Sequence, residues 1–183
     1  MLDGIHKIHL IGIGGSGMRA IANILIQKGY DVSGSDIAES AVISKFRDMG
    51  ATVHIGHNKE YVNGVDAIVR STAIREDNPE IVAAKEQGIT ILHRSDIVKA
   101  VLDVTDGISV AGAHGKTSTT SMIGQILVEA NADPTVIIGG EVDYLKGSSC
   151  LGKGHFSVVE ADESDGSFLK LRPHTIVITL SLI

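Results

Sequence analysis

The stretch from Ile108 to Thr120, I-S-V-A-G-A-H-G-K-T-S-T-T, puts a glycine turn between a short β-branched run and a helical pattern. In this order the N–H groups of the turn and the dipole of the next helix favour an anion, and a lysine reaches the outer phosphates. The hydroxyl of Thr117 is suited to hold Mg²⁺. The usual G-x-x-x-x-G-K-[ST] spacing is shortened here, since Gly112 and Gly115 are the glycines before Lys116. The stretch predicts an ATP-binding loop; a glycine turn used only for packing is the alternative.

The composition is that of a globular chain, with 43% hydrophobic and 21% charged residues among 183. A formal charge of −6 argues against a protein that coats nucleic acid. The one cysteine, Cys150, cannot form an internal disulfide, which favours a reducing compartment. The N-terminus lacks the pattern of a secretion signal, and no apolar run has the length of a membrane span. We therefore expect a cytoplasmic protein without membrane insertion; the sequence does not fix its oligomeric state.

Strands and helices alternate along the chain, which is the pattern of an α/β protein with a parallel sheet covered on both faces. The spacing predicts strands at 7–13, 30–34, 52–55, 67–70, 89–92, 108–111, 135–138, 156–160 and 175–180. It predicts helices at 17–28, 39–49, 79–88, 95–101 and 116–130. Ser95 is the expected N-cap of the fourth helix. The glycine-rich stretch 141–154 is expected to be a loop.

A polar stretch, L-D-V-T-D-G at 102–107, interrupts this alternation, and the pattern begins again with the lysine loop. We therefore divide the chain into a first domain, residues 1–104, and a second domain, residues 105–183. The second domain is short for this plan and ends on an apolar run, T-I-V-I-T-L-S-L-I. A parallel strand at an exposed terminus is unusual in a complete enzyme, so we expect a fragment whose second domain is truncated.

Another glycine loop, G-I-G-G-S-G at residues 12–17, follows the first predicted strand and opens the first helix. It matches G-x-G-x-x-G, and Asp36 ends the next strand, where a Rossmann domain keeps its ribose-binding acid. Such a loop holds a pyrophosphate at a helix N-terminus and does not distinguish the group attached to it. It therefore predicts NAD or a nucleotide-sugar diphosphate, and a loop that only packs helix against strand is the remaining alternative.

An acidic stretch, E-A-D-E-S-D at 160–165, follows the strand at 156–160. Ligands of open α/β sheets bind at the carboxyl ends of strands, and a carboxylate opposite the threonine of a phosphate loop completes a Mg²⁺ shell. Glu160 or Glu163 is therefore the predicted metal ligand. A solvated acidic turn is the alternative.

The histidines do not have the pattern of a zinc site. His6 and His9, like His54 and His57, are three residues apart within or next to a predicted strand, so with strand geometry the members of each pair point to opposite faces. His114 lies inside the lysine loop, where its ring N–H would meet a phosphate or would simply pack.

Six motifs in this order resemble the Mur ligases of peptidoglycan synthesis. They are G-I-G-G-S-G-M (12–18), S-G-S-D (33–36), S-T-A-I (71–74), N-P-E-I-V-A-A (78–84), A-G-A-H-G-K-T-S-T-T (111–120) and E-A-D-E-S-D-G-S-F (160–168). The short G-x-x-G-K-T form is the one that this family uses. The resemblance implies a Rossmann-like domain that holds the UDP of a sugar substrate, followed by the incomplete start of a P-loop-type central ATPase domain.

The resemblance also implies which residues bind each ligand. The ATP site would comprise Gly112, Ala113, His114, Gly115, Lys116, Thr117 and Ser118. Lys116 would be the catalytic residue on the β- and γ-phosphates, and Thr117 and Glu160 would bind Mg²⁺. The UDP-sugar site would comprise Gly12, Gly14, Gly15, Ser16, Gly17, Met18, Ser35, Asp36, His57 and Ser71.

The implied reaction is ATP-dependent amide formation through an acyl phosphate on the muramic acid carboxylate. The loop G-I-G-G-S-G-M favours joining L-alanine to UDP-N-acetylmuramic acid over the recycling reaction that adds a tripeptide to the same sugar. Where the family continues into an asparagine and a D-H pair, this sequence reads T-L-S-L-I (179–183). We therefore expect the chain alone to bind the UDP-sugar without ligase activity. A NAD-dependent oxidoreductase and a non-catalytic nucleotide-binding protein are the alternatives from other classes.

Overall fold

A computed structural model describes residues 2–161 and 166–180 of the chain. Within these residues the chain forms two compact units, a first unit of Leu2–Arg94 and a second unit that begins at Ser95. Each unit is built on its own sheet. This division lies one helix before the boundary expected after residue 104.

The first unit alternates strands and helices as the periodicity predicts. Its strands are β1 (Lys7–Ile11), β2 (Asp31–Asp36), β3 (Thr52–Ile55), β4 (Ala67–Arg70) and β5 (Thr90–His93). Its helices are α1 (Ser16–Gln27), α2 (Ala41–Asp48) and α3 (Pro79–Gln87), with a 3-10 turn at Lys59–Val62. The expected α/β class is confirmed.

The strands of the first sheet run parallel in the order β3-β2-β1-β4-β5. The order reverses between β1 and β4, and ligands of open α/β sheets bind at the carboxyl ends of the strands at such a switch point. Gly12 directly follows β1 and Ser71 directly follows β4. The topology therefore brings these two predicted site residues to the expected edge of the sheet.

Strand β1 forms the centre of the first unit's core. Ile8, Leu10 and Ile11 are fully buried, because helices cover both faces of a parallel sheet. Helix α1 contributes its apolar stripe to the same core, including Ile21 and Leu25. The core also holds fully buried polar side chains, which belong to the candidate site.

The second unit repeats the strand–turn–helix order around β6. Its elements are α4 (Arg94–Leu102), β6 (Asp106–Ala111), α5 (Lys116–Glu129), β7 (Thr135–Val142), β8 (Gly147–Cys150), β9 (Phe156–Glu160) and β10 (Thr175–Ile178). The strand order is β10-β6-β9-β7-β8, and β8 pairs with β7 in the antiparallel direction. Across the described residues, no helix is long and apolar enough to span a membrane.

Two expectations about secondary structure are wrong. The stretch 141–154 is not a plain loop, because it contains the end of β7 and the antiparallel strand β8. The strand sequence G-S-S-C has neither β-branched residues nor apolar alternation, so pairing with β7 rather than local preference makes it a strand. Ser95 is not an N-cap, because β5 passes directly into α4 at Arg94 and leaves Ser95 buried inside the first turn.

Asp66 ties the beginning of β1 to β4. Its carboxylate oxygen Oδ2 accepts the backbone N–H groups of His6 and Lys7, each at 2.8 Å. These two hydrogen bonds lower the pKa of Asp66 from its ordinary value of 3.8, and the bond from Lys7 has the larger effect. A carboxyl group with a lowered folded-state pKa stabilises the fold above its unfolded pKa, and this contribution is lost as the pH falls through the folded value.

We expect D66N to lower the midpoint of urea unfolding at pH 7, because an amide cannot supply the charged acceptor of both N–H groups. The difference from the parent should shrink as the pH falls from about 5 to 3, where Asp66 of the parent becomes protonated. D3N, which changes an exposed acid near the same terminus, should leave the midpoint unchanged. A D66N difference that is equal at pH 7 and pH 3 would contradict the assignment.

Candidate functional site

The lysine loop begins where β6 ends, in the second unit. Gly112 and Gly115 have φ values of +137° and +81°, a region that L side chains rarely adopt. Gly115 is the N-cap of α5, and no side-chain hydrogen bond caps the helix there. Because the first N–H groups of a helix lack intrahelical acceptors, this terminus is suited to an anion.

Two oxygen-bearing side chains that could bind a metal ion meet beside this loop. The Thr117 hydroxyl lies 3.1 Å from both carboxylate oxygens of Glu160, which ends the neighbouring strand β9. The N–H of Gly139 fixes the carboxylate further by donating to Oε2 at 2.9 Å. A hydroxyl beside a carboxylate is a donor set that fits Mg²⁺, which prefers oxygen ligands and shares them with phosphates. The alternative ligand, Glu163, lies outside the described residues.

Lys116 lies against its own loop. Its Nζ donates to the carbonyl oxygen of Gly112 at 2.7 Å, so the ammonium group is held at the loop rather than extended into solvent. An ammonium group carries three donors, and a phosphate oxygen is a stronger, charged acceptor than a carbonyl. The position of Lys116 is therefore compatible with its predicted role on phosphates.

Thr179, at the end of the neighbouring β10, supports the loop from behind. Its hydroxyl lies 2.5 Å from the carbonyl oxygen of His114 and 3.3 Å from that of Ala111, so its one proton is shared between two acceptors. The N–H of Ala113 donates to the carbonyl of Leu180 at 2.7 Å. Any Cβ at Gly112 would clash with the Thr179 hydroxyl, so this close approach requires glycine at 112.

This contact has a consequence for the helix terminus. Within a peptide unit, C=O and N–H point in opposite directions, so a His114 carbonyl turned toward Thr179 directs the Gly115 N–H to the other side. The remaining predicted ATP-site residues lie at the exposed rim, with His114 in the loop and Ser118 in the first turn of α5. Sequence reasoning missed Thr179; the polar threonine that closes the apolar run T-I-V-I-T was the available signal.

The first-unit glycine loop is held by the end of β2. The N–H groups of Gly12 and Ile13 donate to the Ser35 carbonyl at 2.8 and 3.1 Å. The Gly14 N–H donates to Oδ2 of Asp36 at 2.8 Å. Asp36 therefore fixes the loop itself, and its expected contact with a ligand stays a prediction. Helix α1 begins after Gly15 without a side-chain cap, as α5 does after its loop.

The other predicted UDP-sugar residues differ in exposure. Ser16 is exposed at the first position of α1, whereas the Met18 side chain is buried in the core. Ser35 is fully buried and supports the loop through its carbonyl. Ser71 and His57 are partly exposed. The loop, Ser71 and His57 are therefore exposed enough to contact a ligand directly. Ser35 instead supports the loop from within the protein.

A buried polar cluster lies beside this loop and was not predicted. Glu80 of α3 is fully buried, and its carboxylate contacts Ser35, His9, His57 and the N–H of Asn58. Burial opposes ionisation of Glu80, but hydrogen bonds from His9, Ser35 and Asn58 outweigh it and lower its pKa. The sequence signal was a histidine in the otherwise apolar β1 (K-I-H-L-I), which needs a polar partner when buried.

The histidine pairs do not form a metal site in the described part of the chain, where no group of three or more His, Cys, Asp or Glu is arranged to hold an ion. His9 and His57, from different pairs, instead meet on Glu80. His54 stacks on Tyr61 with ring centroids 3.9 Å apart and planes 9° from parallel.

Comparison with known proteins identifies a family and several relatives. A family model described as "Mur ligase family, catalytic domain" matches residues 7–104. The curated UDP-N-acetylmuramate–L-alanine ligase of Solidesulfovibrio magneticus is 47% identical over 179 residues, which are 98% of this chain and 39% of that protein. The chain thus spans about two fifths of the length of the curated relatives that it matches.

Solved structures show the same similarity in three dimensions. The UDP-N-acetylmuramate–alanine ligase of Thermotoga maritima superposes with a TM-score of 0.89 at 34% identity, covering 96% of this chain and 41% of that one. The UDP-N-acetylmuramate:L-alanyl-γ-D-glutamyl-meso-diaminopimelate ligase of Neisseria meningitides superposes with a TM-score of 0.90 at 27% identity, covering 98% and 62%.

We expect T179V to weaken the binding of a non-hydrolysable ATP analogue with Mg²⁺ about fivefold, since one neutral hydrogen bond contributes about 1 kcal/mol. Valine keeps the shape of threonine but loses the hydroxyl that orients the His114 carbonyl. T179S keeps that hydroxyl and should bind like the parent. Titration calorimetry on variants with unchanged melting temperatures measures this, and equal affinities for T179V and the parent would contradict the role of the hydroxyl.

Proposed function

The chain belongs to the Mur ligase family, and from this premise we propose that it is the part of a UDP-N-acetylmuramate–L-alanine ligase that holds ATP and the UDP-sugar. The observation that carries the proposal is the Thr117 hydroxyl beside the Glu160 carboxylate, at the uncapped N-terminus of α5. A dinucleotide-binding oxidoreductase has no need of this second, metal-type phosphate site. The family match and the second site together favour the ligase over that alternative.

On the ATP side, the phosphates are proposed to lie against residues 112–118. Lys116 would exchange the Gly112 carbonyl for the β- and γ-phosphate oxygens, a stronger acceptor. Thr117 and Glu160 would hold Mg²⁺, which neutralises charge on the phosphates when bound. Phosphoryl transfer depends mainly on positioning and electrostatic stabilisation, and the loop, its lysine and the helix terminus provide both.

On the sugar-nucleotide side, the UDP diphosphate is proposed to lie against the loop at 12–17 and the N-terminus of α1. The switch point of the sheet supports this placement, because Gly12 and Ser71 directly follow β1 and β4, the two strands between which the order reverses. Asp36 keeps the Gly14 N–H engaged, so the loop is preformed. Met18 and Ser35, which are buried, would support the site without touching the ligand. His57 and Ser71, which are partly exposed, would contact it.

For the whole protein, we propose that the γ-phosphate passes to the muramic acid carboxylate and that the amine of L-alanine displaces phosphate to form the amide. Curated relatives with the alanine-adding name are 47% and 49% identical, against 27% for the Neisseria tripeptide ligase, which favours L-alanine. The names of both kinds of relative contain UDP-N-acetylmuramate, so the sugar substrate is the same under either alternative. The single cysteine also supports the expected cytoplasmic location.

Calorimetry with the two ligands tests the proposal on the chain itself. We expect K116A to weaken binding of the Mg²⁺-bound ATP analogue at least about thirtyfold, since a charged hydrogen bond contributes roughly 2 kcal/mol or more. Its affinity for UDP-N-acetylmuramic acid should not change. K153A, which removes an exposed lysine from the same unit, should bind both ligands like the parent.

The complementary variant is D36N. Asp36 accepts the N–H of Gly14 on Oδ2 and that of Ile37 on Oδ1, whereas an amide has one oxygen and sets its NH₂ against one of these N–H groups. The first loop should therefore loosen, and affinity for UDP-N-acetylmuramic acid should fall about tenfold. Binding of the ATP analogue should remain at the parent value. Folded parent protein that gives no heat with either ligand, or that enhances NADH fluorescence instead, would overturn the proposal.

A further inference from the structure

Glu80 of α3 places a carboxylate inside the first unit, against side chains of β1 and β2 and the segment that follows β3. The Ser35 hydroxyl donates to Oε2 at 2.7 Å, and His9 Nε2 lies 3.3 Å from the same oxygen. Oε1 accepts the Asn58 N–H at 3.2 Å and lies 3.2 Å from His57 Nδ1. Each oxygen therefore has two partners, which is how a protein retains a fully buried charge.

The cluster fixes the proton of His57. A serine hydroxyl has one proton, and that of Ser35 is donated to Glu80. The Ser35 oxygen, 3.1 Å from His57 Nδ1, can therefore only accept from the ring. Because the carboxylate of Glu80 also only accepts, Nδ1 of His57 carries the proton, in the neutral as well as the charged ring.

This arrangement leaves Nε2 as the atom through which His57 can meet a ligand. No residue within the described ranges hydrogen-bonds to His57 Nε2, and the side chain is 21% exposed. The ring is also adjacent to the glycine loop, because the Ser35 that contacts Nδ1 accepts the Gly12 N–H through its carbonyl. In space, Ser35 alone therefore links His57 to the proposed diphosphate loop.

We propose that Glu80 is a positioning residue of the UDP-sugar site, which holds His57 with Nδ1 protonated and Nε2 presented to the nucleotide sugar. The inference rests on the proposed function of the first unit. Glu80 itself does not touch the ligand, since it is fully buried. Hydrogen bonds from His9, Ser35 and Asn58 outweigh burial and lower the pKa of Glu80, which favours the ionised carboxylate at neutral pH.

The competing interpretation is that Glu80 only anchors α3 to the sheet. An anchoring role affects stability and leaves the tautomer of His57 without consequence. A positioning role changes the state of the His57 ring and acts on ligand affinity through that ring. The two interpretations therefore differ in a spectroscopic signal and in the coupling between the two residues.

The first measurement uses the parent chain labelled with ¹⁵N-histidine. Long-range ¹H–¹⁵N spectra distinguish the two neutral tautomers, and we expect His57 in the form protonated at Nδ1. In E80Q the ring should shift toward the form protonated at Nε2, because the fixed anionic acceptor is lost. A parent His57 protonated at Nε2 would overturn the inference, and this result requires no variant to fold.

The second measurement is calorimetry with UDP-N-acetylmuramic acid. We expect E80Q to bind about tenfold more weakly than the parent, while E86Q, an exposed acid of the same helix, binds normally. In an H57A background, E80Q should lower the affinity much less than it does in the parent, because the His57 ring through which Glu80 acts on the ligand is already absent. An equal loss in both backgrounds would support anchoring alone and overturn the inference.

The outcomes separate this inference from the proposed function. If the parent chain does not bind the UDP-sugar, the proposed function of the first unit fails. If the parent binds but E80Q binds equally well, only the role of Glu80 fails. Affinity for the ATP analogue, which belongs to the second unit, should stay at the parent value in E80Q and shows that the effect is confined to the first unit.

Discussion

In both units, a glycine with positive φ directly follows an interior strand of the sheet and turns the chain toward a helix. Gly12 follows β1 with φ +71°, and Gly112 follows β6 with φ +137°. Each of these strands lies between two parallel neighbours, so the loop emerges at the edge where the carboxyl ends gather. Without this turn, the helix N-terminus could not face that edge, and neither candidate site would exist.

The two loops differ in what the neighbouring strand gives them. Asp36 ends β2 and accepts the N–H of Gly14, so its carboxylate is used within the loop. Glu160 ends β9 and instead faces the hydroxyl of Thr117 in the first turn of the helix. An acid at an equivalent place thus stiffens one loop and supplies an oxygen donor at the other. Physically, the second arrangement suits a phosphate that arrives with a cation, and the first suits a phosphate held by amides alone.

Local pattern was enough to predict the elements, because glycine turns and apolar periodicity are encoded within a few residues. The strand β8 escaped prediction because G-S-S-C becomes a strand only through its pairing with β7. The contact between His9 and Glu80 joins residues 71 positions apart, and that between His114 and Thr179 joins residues 65 apart. Such pairings follow from the fold and carry no signal at short range, which is why Glu80 and Thr179 were missed.

Hydrogen bonds within the protein fix the backbone of the lysine loop. Thr179 orients the backbone at His114, and the carbonyl of Leu180 holds the N–H of Ala113, so the loop's course does not depend on a bound phosphate. In the proposed ATP site, Lys116 would exchange the Gly112 carbonyl for a phosphate oxygen. A preformed backbone with one exchangeable side chain limits the ordering cost of binding to a single flexible residue. In the proposed ATP site, affinity should therefore depend on Thr179 and Leu180 as well as on the residues that would touch the nucleotide.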